Sequence, residues 1–275
     1  MNENFKAGVV SVTFRQYAYE NLIKYTKLTE LSCIEWGSDI HVPYDDNKKA
    51  YKTAEKMREN SIKTASYGSY YRLGVPQKWL TESETAAITG DRVDIFPMIL
   101  QTAKLIEASN VRVWGGELSS ASLDADARKV IVDDALRVSM LAKSANKSVS
   151  VEYHGNTITD NADSAINFID AVRDGGGDNV YLYWQPNQHI TFEENKSELK
   201  KICPYLSNIH VFAWEGSERF PLGHHRNRWG EYINIIAEQT HDSGNNKHNF
   251  LLEFVKGDNV NQFVEDAEIL IELLG

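Results

Sequence analysis

Four side chains able to hold a cation recur at the ends of short apolar runs: Glu152 in SVSVEYH, Gln185 in VYLYWQ, His210 in NIHVFAW and Glu253 in NFLLEF. In an extended strand successive side chains alternate between two faces. Within residues 148–154, Val149, Val151 and Tyr153 share one face, and Ser148, Ser150, Glu152 and His154 share the other. Closing such strands into a cylinder turns the second face inward and brings the four groups to one rim. Two carboxylates, an imidazole and an amide oxygen converging on a point suit one divalent ion. An ion gripping adjacent substrate oxygens stabilises the enediolate left when a proton departs from carbon, provided a carboxylate stands by as base. Glu152 and Glu253 suit both metal ligation and proton transfer. Removal on one face and return on the other gives epimerisation, whereas transfer to the neighbouring carbon gives aldose–ketose isomerisation; these residue types permit either.

The elements that must position them follow from the hydropathy pattern. Short β-like runs at 6–14, 33–37, 63–69, 110–115, 148–154, 180–185, 207–214 and 248–254 alternate with amphipathic stretches at 17–29, 46–60, 91–108, 124–145, 161–173, 193–203, 230–240 and 258–273. Successive βα units of this number predict an α/β fold, a single (β/α)8 TIM barrel spanning residues 1–275. Asp124 reads as a helix N-cap, and Gly175, Gly176 and Gly177 read as a helix stop. No Pro- or Ser-rich linker divides the chain. Two connections, 70–90 and 215–229, exceed what a barrel needs; both follow a strand, which places them on the carboxyl face as candidate lids.

Composition narrows the partners. With 39 acidic against 29 basic residues the formal charge is −10, which opposes extended nucleic-acid binding. The start, MNENFKAGVV, lacks a basic segment followed by an apolar one, and no run approaches the ~20 apolar residues of a membrane span. A cytoplasmic protein without membrane contact is the expectation. The two cysteines, Cys33 and Cys203, form no CxxC pair, so buried reduced thiols are expected rather than a disulfide framework or thiolate metal site.

The whole chain resembles the xylose isomerase-like TIM barrels, especially the sugar phosphate isomerase/epimerase branch. GVVSVTFRQ, CIEWGSDIHVP, VRVWGG, VEYHGNTITD, YWQPNQ, NIHV with the following Arg219, and LLEF carry the resemblance. It implies a small carbohydrate substrate, one divalent ion (Mn, Mg, Co or Zn) and homo-oligomerisation. It also implies a Glu, Asp, His, Glu metal quartet whose glutamates double as acid/base groups; the roles fall on Glu152, Gln185, His210 and Glu253. Gln185 departs from the pattern by replacing Asp. An amide keeps the oxygen ligand but removes one negative charge, which weakens or redirects metal preference. Many epimerases of this family also carry a glutamate a few residues beyond the first ligand, where this chain offers Asp160.

Further substrate-binding candidates are His154, which shares Glu152's parity, and His41 in GSDIHVP. The family's substrate-binding histidine maps to His189 or, in a shifted alignment, to Gln188. Arg219 resembles the family arginine that fixes substrate or orients the histidine ligand. Trp114, with Trp36, Trp184 and Trp214, lies near a strand end where an apolar wall could face a sugar ring. Arg112 is an inward guanidinium needing a carboxylate such as Glu35. His224 and His225 read as surface-loop residues. Alternatives of other classes are a dehydratase or lyase acting on a cyclic polyol or keto acid, a nuclease of the endonuclease IV type, and a sugar-binding barrel without catalysis.

Overall fold

The apolar runs pair side by side into a ring. A computed structural model of the chain describes residues 4–75, 94–243 and 247–275. Strands β1 (Phe5–Val10), β2 (Cys33–Gly37), β3 (Lys63–Arg72), β4 (Asn110–Trp114), β5 (Ser148–Glu152), β6 (Val180–Trp184), β7 (Leu206–Val211) and β10 (His248–Leu252) are all parallel, and β10 closes the barrel against β1. A small antiparallel hairpin, β8 (Trp214–Glu215) and β9 (Glu218–Arg219), follows β7. The helices are α1 (Tyr19–Lys27), α2 (Asn47–Glu59), α3 (Phe96–Leu105), α4 (Ala125–Ser144), α5 (Ala162–Asp174), α6 (Phe192–Ile202), α7 (Arg226–Ser243) and α8 (Val260–Leu274). This is the single-ring (β/α)8 architecture that the alternation predicts.

Helix starts are set by local chemistry. Asp46, Asp124, Asn161 and Asn259 each accept a hydrogen bond from a first-turn amide, and Thr191 with Glu194 completes a reciprocal capping box. Between strands and helices lies the large apolar core, with Ile34, Trp36, Val113, Val151, Leu182, Trp184 and Phe250 facing outward from the sheet. Inside the ring a much smaller apolar cluster, Val10, Val12, Cys33, Ala65, Tyr183 and Leu251, shares the space with polar groups. Ser150 donates to Ser207 at 2.8 Å, and Asn110 donates to Ser148 and Ser150 at 2.8 and 2.7 Å. A barrel interior normally filled by branched apolar side chains is here hydrogen-bonded.

Several boundaries differ from expectation. The run 6–14 ends as strand at Val10 and continues as a 3-10 turn, Ser11–Phe14. The run 207–214 ends at Val211, and Phe220 donates to the Ala213 carbonyl at 2.8 Å, turning the chain into the hairpin. The connection 215–229 is thus structured: hairpin, a 3-10 turn at Leu222–His225, then α7, which starts earlier than periodicity suggested. Of the connection 70–90, residues 76–90 lie outside the described residues, as do 91–93 of the stretch 91–108. No helix among the described residues is long and apolar enough to cross a membrane.

Candidate active site at the carboxyl mouth of the barrel

A cavity of about 580 Å³ opens where β3 to β7 and β10 end, and its walls include Glu152, Gln185, Glu253, Trp114, His154 and Trp214. Strand pairing sets this layer: Glu152 sits beside Trp114 on one side and Tyr183 on the other, and Arg112 lies one step deeper beside Gly68 and Ser150. Immediately after Glu253, Phe254 adopts φ 52°, and Tyr70 on the opposite wall has φ 56°. Both are aromatic residues held in the left-handed region, a strain that concentrates at functional sites.

Below the cavity floor lies a compact charge cluster. Arg112, 2% exposed, donates from Nε to Oε1 of Glu35 at 2.9 Å and from Nη1 to Oε2 of Glu152. Ser66 donates to the second oxygen of Glu35 at 2.5 Å. His210, fully buried, brings Nε2 to 3.4 Å from Glu35, and its Nδ1 lies 3.7 Å from Oε1 of Glu152 and 3.6 Å from Oε2 of Glu253. Its ring packs on Tyr183 with centroids 4.5 Å apart. Burial disfavours the Glu35 carboxylate, yet Arg112, with His210 and Ser66, more than offsets this and holds Glu35 well below the ordinary range. Burial pushes the Glu253 carboxyl up, and neighbouring Glu152 adds to that rise against the pull of His210 and Arg112. Burial likewise opposes charge on His210, but Glu253 and Glu35 prevail and raise its pKa.

The structure brings most of the sequence candidates together. Glu152, Gln185 and Glu253 line the cavity, and His210 sits directly behind them. His154 also lines it, its ring 4.5 Å from that of Trp114, whose other contact is the Arg72 guanidinium at 4.2 Å. His189 is an exposed wall residue on a loop that Asn195 fixes by accepting from the Asn187 amide and donating to the Asn187 carbonyl. Two candidates do not reach the cavity. His41 is buried among core residues with Nε2 3.1 Å from the Tyr17 carbonyl, because the chain after β2 folds back toward α1. Arg219 pairs with Asp258 at 2.7 Å and lies over Trp214 and Phe254, behind the wall those rings form. Of the four strand-end tryptophans, Trp114 and Trp214 face the cavity, whereas Trp36 and Trp184 belong to the layer under the helices. Tyr183, Tyr70 and Phe254 went unmarked in the sequence; Tyr183 shares the inward parity of Gln185, which was the available signal.

The donor set fits a divalent ion at one observable point. Both ring nitrogens of His210 are buried without a hydrogen-bond partner, an arrangement that costs about 1–3 kcal/mol unless something satisfies them. Nδ1 faces two carboxylate oxygens at a separation too long for hydrogen bonds and suited to ligands sharing a cation. Glu152, His210 and Glu253 would be the holders, with Gln185 at the edge. The gathering is incomplete: among the described residues the trio whose donor atoms all lie within 4.8 Å of one another is Glu215, His224 and His225, so Glu152 and Glu253 stand farther apart. At that outer trio the guanidinium of Arg228 already lies 3.4 Å from Glu215.

No protein-family model and no curated protein matches the chain. Solved structures do. A probable 3-DHS dehydratase, AsbF, involved in petrobactin synthesis in Bacillus anthracis superposes with a TM-score of 0.72 at 13% identity, covering 97% of this chain and 98% of that one. D-psicose 3-epimerase from Clostridium cellulolyticum H10, solved with D-tagatose, gives 0.67 at 15% identity, covering 98% of each. A xylose isomerase-like TIM barrel protein from Mycobacterium smegmatis in complex with magnesium gives 0.66 at 11%, again covering 98% of each. The chain thus shares its (β/α)8 fold with a dehydratase, an epimerase and a xylose isomerase-like TIM barrel protein.

Proposed function

We propose that this protein is a divalent-metal-dependent isomerase or epimerase of a sugar or sugar phosphate, working by proton abstraction through an enediolate. The observation that carries the reading is the approach of Glu152 and Glu253 to one buried, partnerless nitrogen of His210 on the floor of an aromatic-walled cavity. A divalent ion bound by these groups would supply Lewis-acid stabilisation of charge developing on substrate oxygens. Trp114, Trp214 and Phe254 offer ring faces to the apolar side of a sugar. His154 stands at the rim with a ring nitrogen for a hydroxyl. The C–H bond beside the carbonyl breaks, its electrons remain in the enediolate, and a carboxylate oxygen of Glu253 or Glu152 takes the proton. Return to the neighbouring carbon yields the isomer, and return to the opposite face of the same carbon yields the epimer.

Dehydration of a cyclic polyol or keto acid is the second reading, favoured by the dehydratase with the same fold at a TM-score of 0.72. The test is a panel of ketoses, aldoses, their phosphates and inososes in deuterated water with added Mn²⁺. Solvent deuterium should enter a carbon position of at least one substrate with the carbon skeleton's elements otherwise conserved, and Glu152→Gln and Glu253→Gln should each lower that exchange by about 10²–10⁴-fold. A product lighter by one water would establish the second reading. Full exchange in both variants would remove the glutamates from the chemistry.

A further inference from the structure

Resting on the metal reading above, we propose that Arg112 tunes the cation centre: it ties Glu152 back as a one-oxygen ligand and holds down the affinity of the site for a divalent ion.

The guanidinium has two partners on opposite sides of the barrel interior. Glu35 on β2 fixes Nε at 2.9 Å, and Glu35 is itself pinned by Ser66. Arg112 is therefore anchored at one end, and Nη1 is presented to Oε2 of Glu152. The rings of Tyr70 and Tyr183 lie 5.6 and 5.8 Å from the guanidinium carbon, leaving it little freedom to swing away. One oxygen of Glu152 is thus committed to a permanent cation, and only Oε1 faces His210. Glu253 has no such tether among the described residues; its carboxylate approaches Nδ1 of His210 at 3.6 Å. A fixed positive charge this close to the ligands, in a site screened from water, opposes a second cation. The same anchoring keeps a negative oxygen in place for that cation, so Arg112 acts as a positioning residue and an affinity brake together.

A buried arginine that served packing alone would, on removal, loosen the site and weaken any metal it held. The brake predicts the reverse. Mn²⁺ is titrated into the full chain and its variants by calorimetry, with far-ultraviolet circular dichroism verifying the fold. Arg112→Met should bind Mn²⁺ at least about tenfold more tightly than the wild type. Arg112→Lys, which keeps the charge, should stay within about threefold of it. Adding Glu152→Gln to Arg112→Met should cancel the gain. If Arg112→Met does not fold, Arg112→Gln, which keeps a donor toward Glu152 without the charge, is read in its place. A folded Arg112→Met or Arg112→Gln that binds Mn²⁺ equally or less tightly than a wild type that does bind it overturns the proposal and leaves the metal reading standing. Absence of binding in wild type and all Arg112 variants at millimolar Mn²⁺ overturns both.

Discussion

A Cβ added at Gly68 would stand 2.7 Å from Nη2 of Arg112 and 3.0 Å from Oε1 of Glu35, so the bare backbone of β3 is what lets the buried ion pair cross the barrel. Gly68→Ala cannot be absorbed by a flexible side-chain tip, because Arg112 is held at both ends. The substitution should cost about 1–3 kcal/mol in urea unfolding through overpacking; an unchanged midpoint would mean that the cluster has slack. Residue by residue, the site was legible where parity alone decides direction, as at Glu152 and Gln185. Even the need of Arg112 for a carboxylate could be read, because an inward charge cannot stay unpaired. That its second partner is Glu152 could not be read, since the two stand one layer apart on neighbouring strands and only the reach of the side chains links them. His41 misled for the converse reason: a histidine just past a strand end has the right address for a site, and only the path of the following loop shows that it faces α1.

The strands and helices were legible because periodicity records burial, and the places where elements stop were less so because tertiary hydrogen bonds end them. The 3-10 turn at Leu222–His225 is an example: its Leu222 amide donates to Oδ1 of Asp266 on α8 at 2.8 Å, a partner 44 residues away. Asp266 is buried, and burial, against bonds from Leu222 and Gln262, raises its pKa from 3.8 to about 6. The folded state therefore holds this proton more tightly than the unfolded one. The stabilisation is full below pH 3.8 and is lost as pH rises through about 6, some ~3 kcal/mol in all. Asp266→Asn keeps an oxygen to accept the Leu222 and Gln262 bonds and has no charge to bury. It should stabilise the protein by about 1–3 kcal/mol at pH 8, with the gain shrinking toward pH 4. Thermal unfolding of both proteins across that range checks this; a gain independent of pH would show that the folded protein holds the Asp266 proton no more tightly than the unfolded chain does.

At the scale of the whole barrel, the candidate ligands come from β5, β7, and the ends of β6 and β10, elements separated by up to about a hundred residues of chain yet adjacent in the ring. A cation gripping them would bind the closed ring and not the unfolded chain, in which Glu152, His210 and Glu253 are far apart. Binding must then appear as global stability, by about 2.7 kcal/mol at an ion concentration one hundred times the dissociation constant. For a domain of this size such a gain lifts the melting temperature by several degrees. Excess Mn²⁺ should accordingly raise the melting temperature of the wild type and leave that of His210→Asn nearly unmoved, while His224→Ala, which alters the outer trio, should respond like the wild type. An equal rise in all three proteins would place the stabilising ion away from the barrel mouth. A rise abolished only by His224→Ala would move the cation centre to the hairpin and deprive the floor of the cavity of its proposed role.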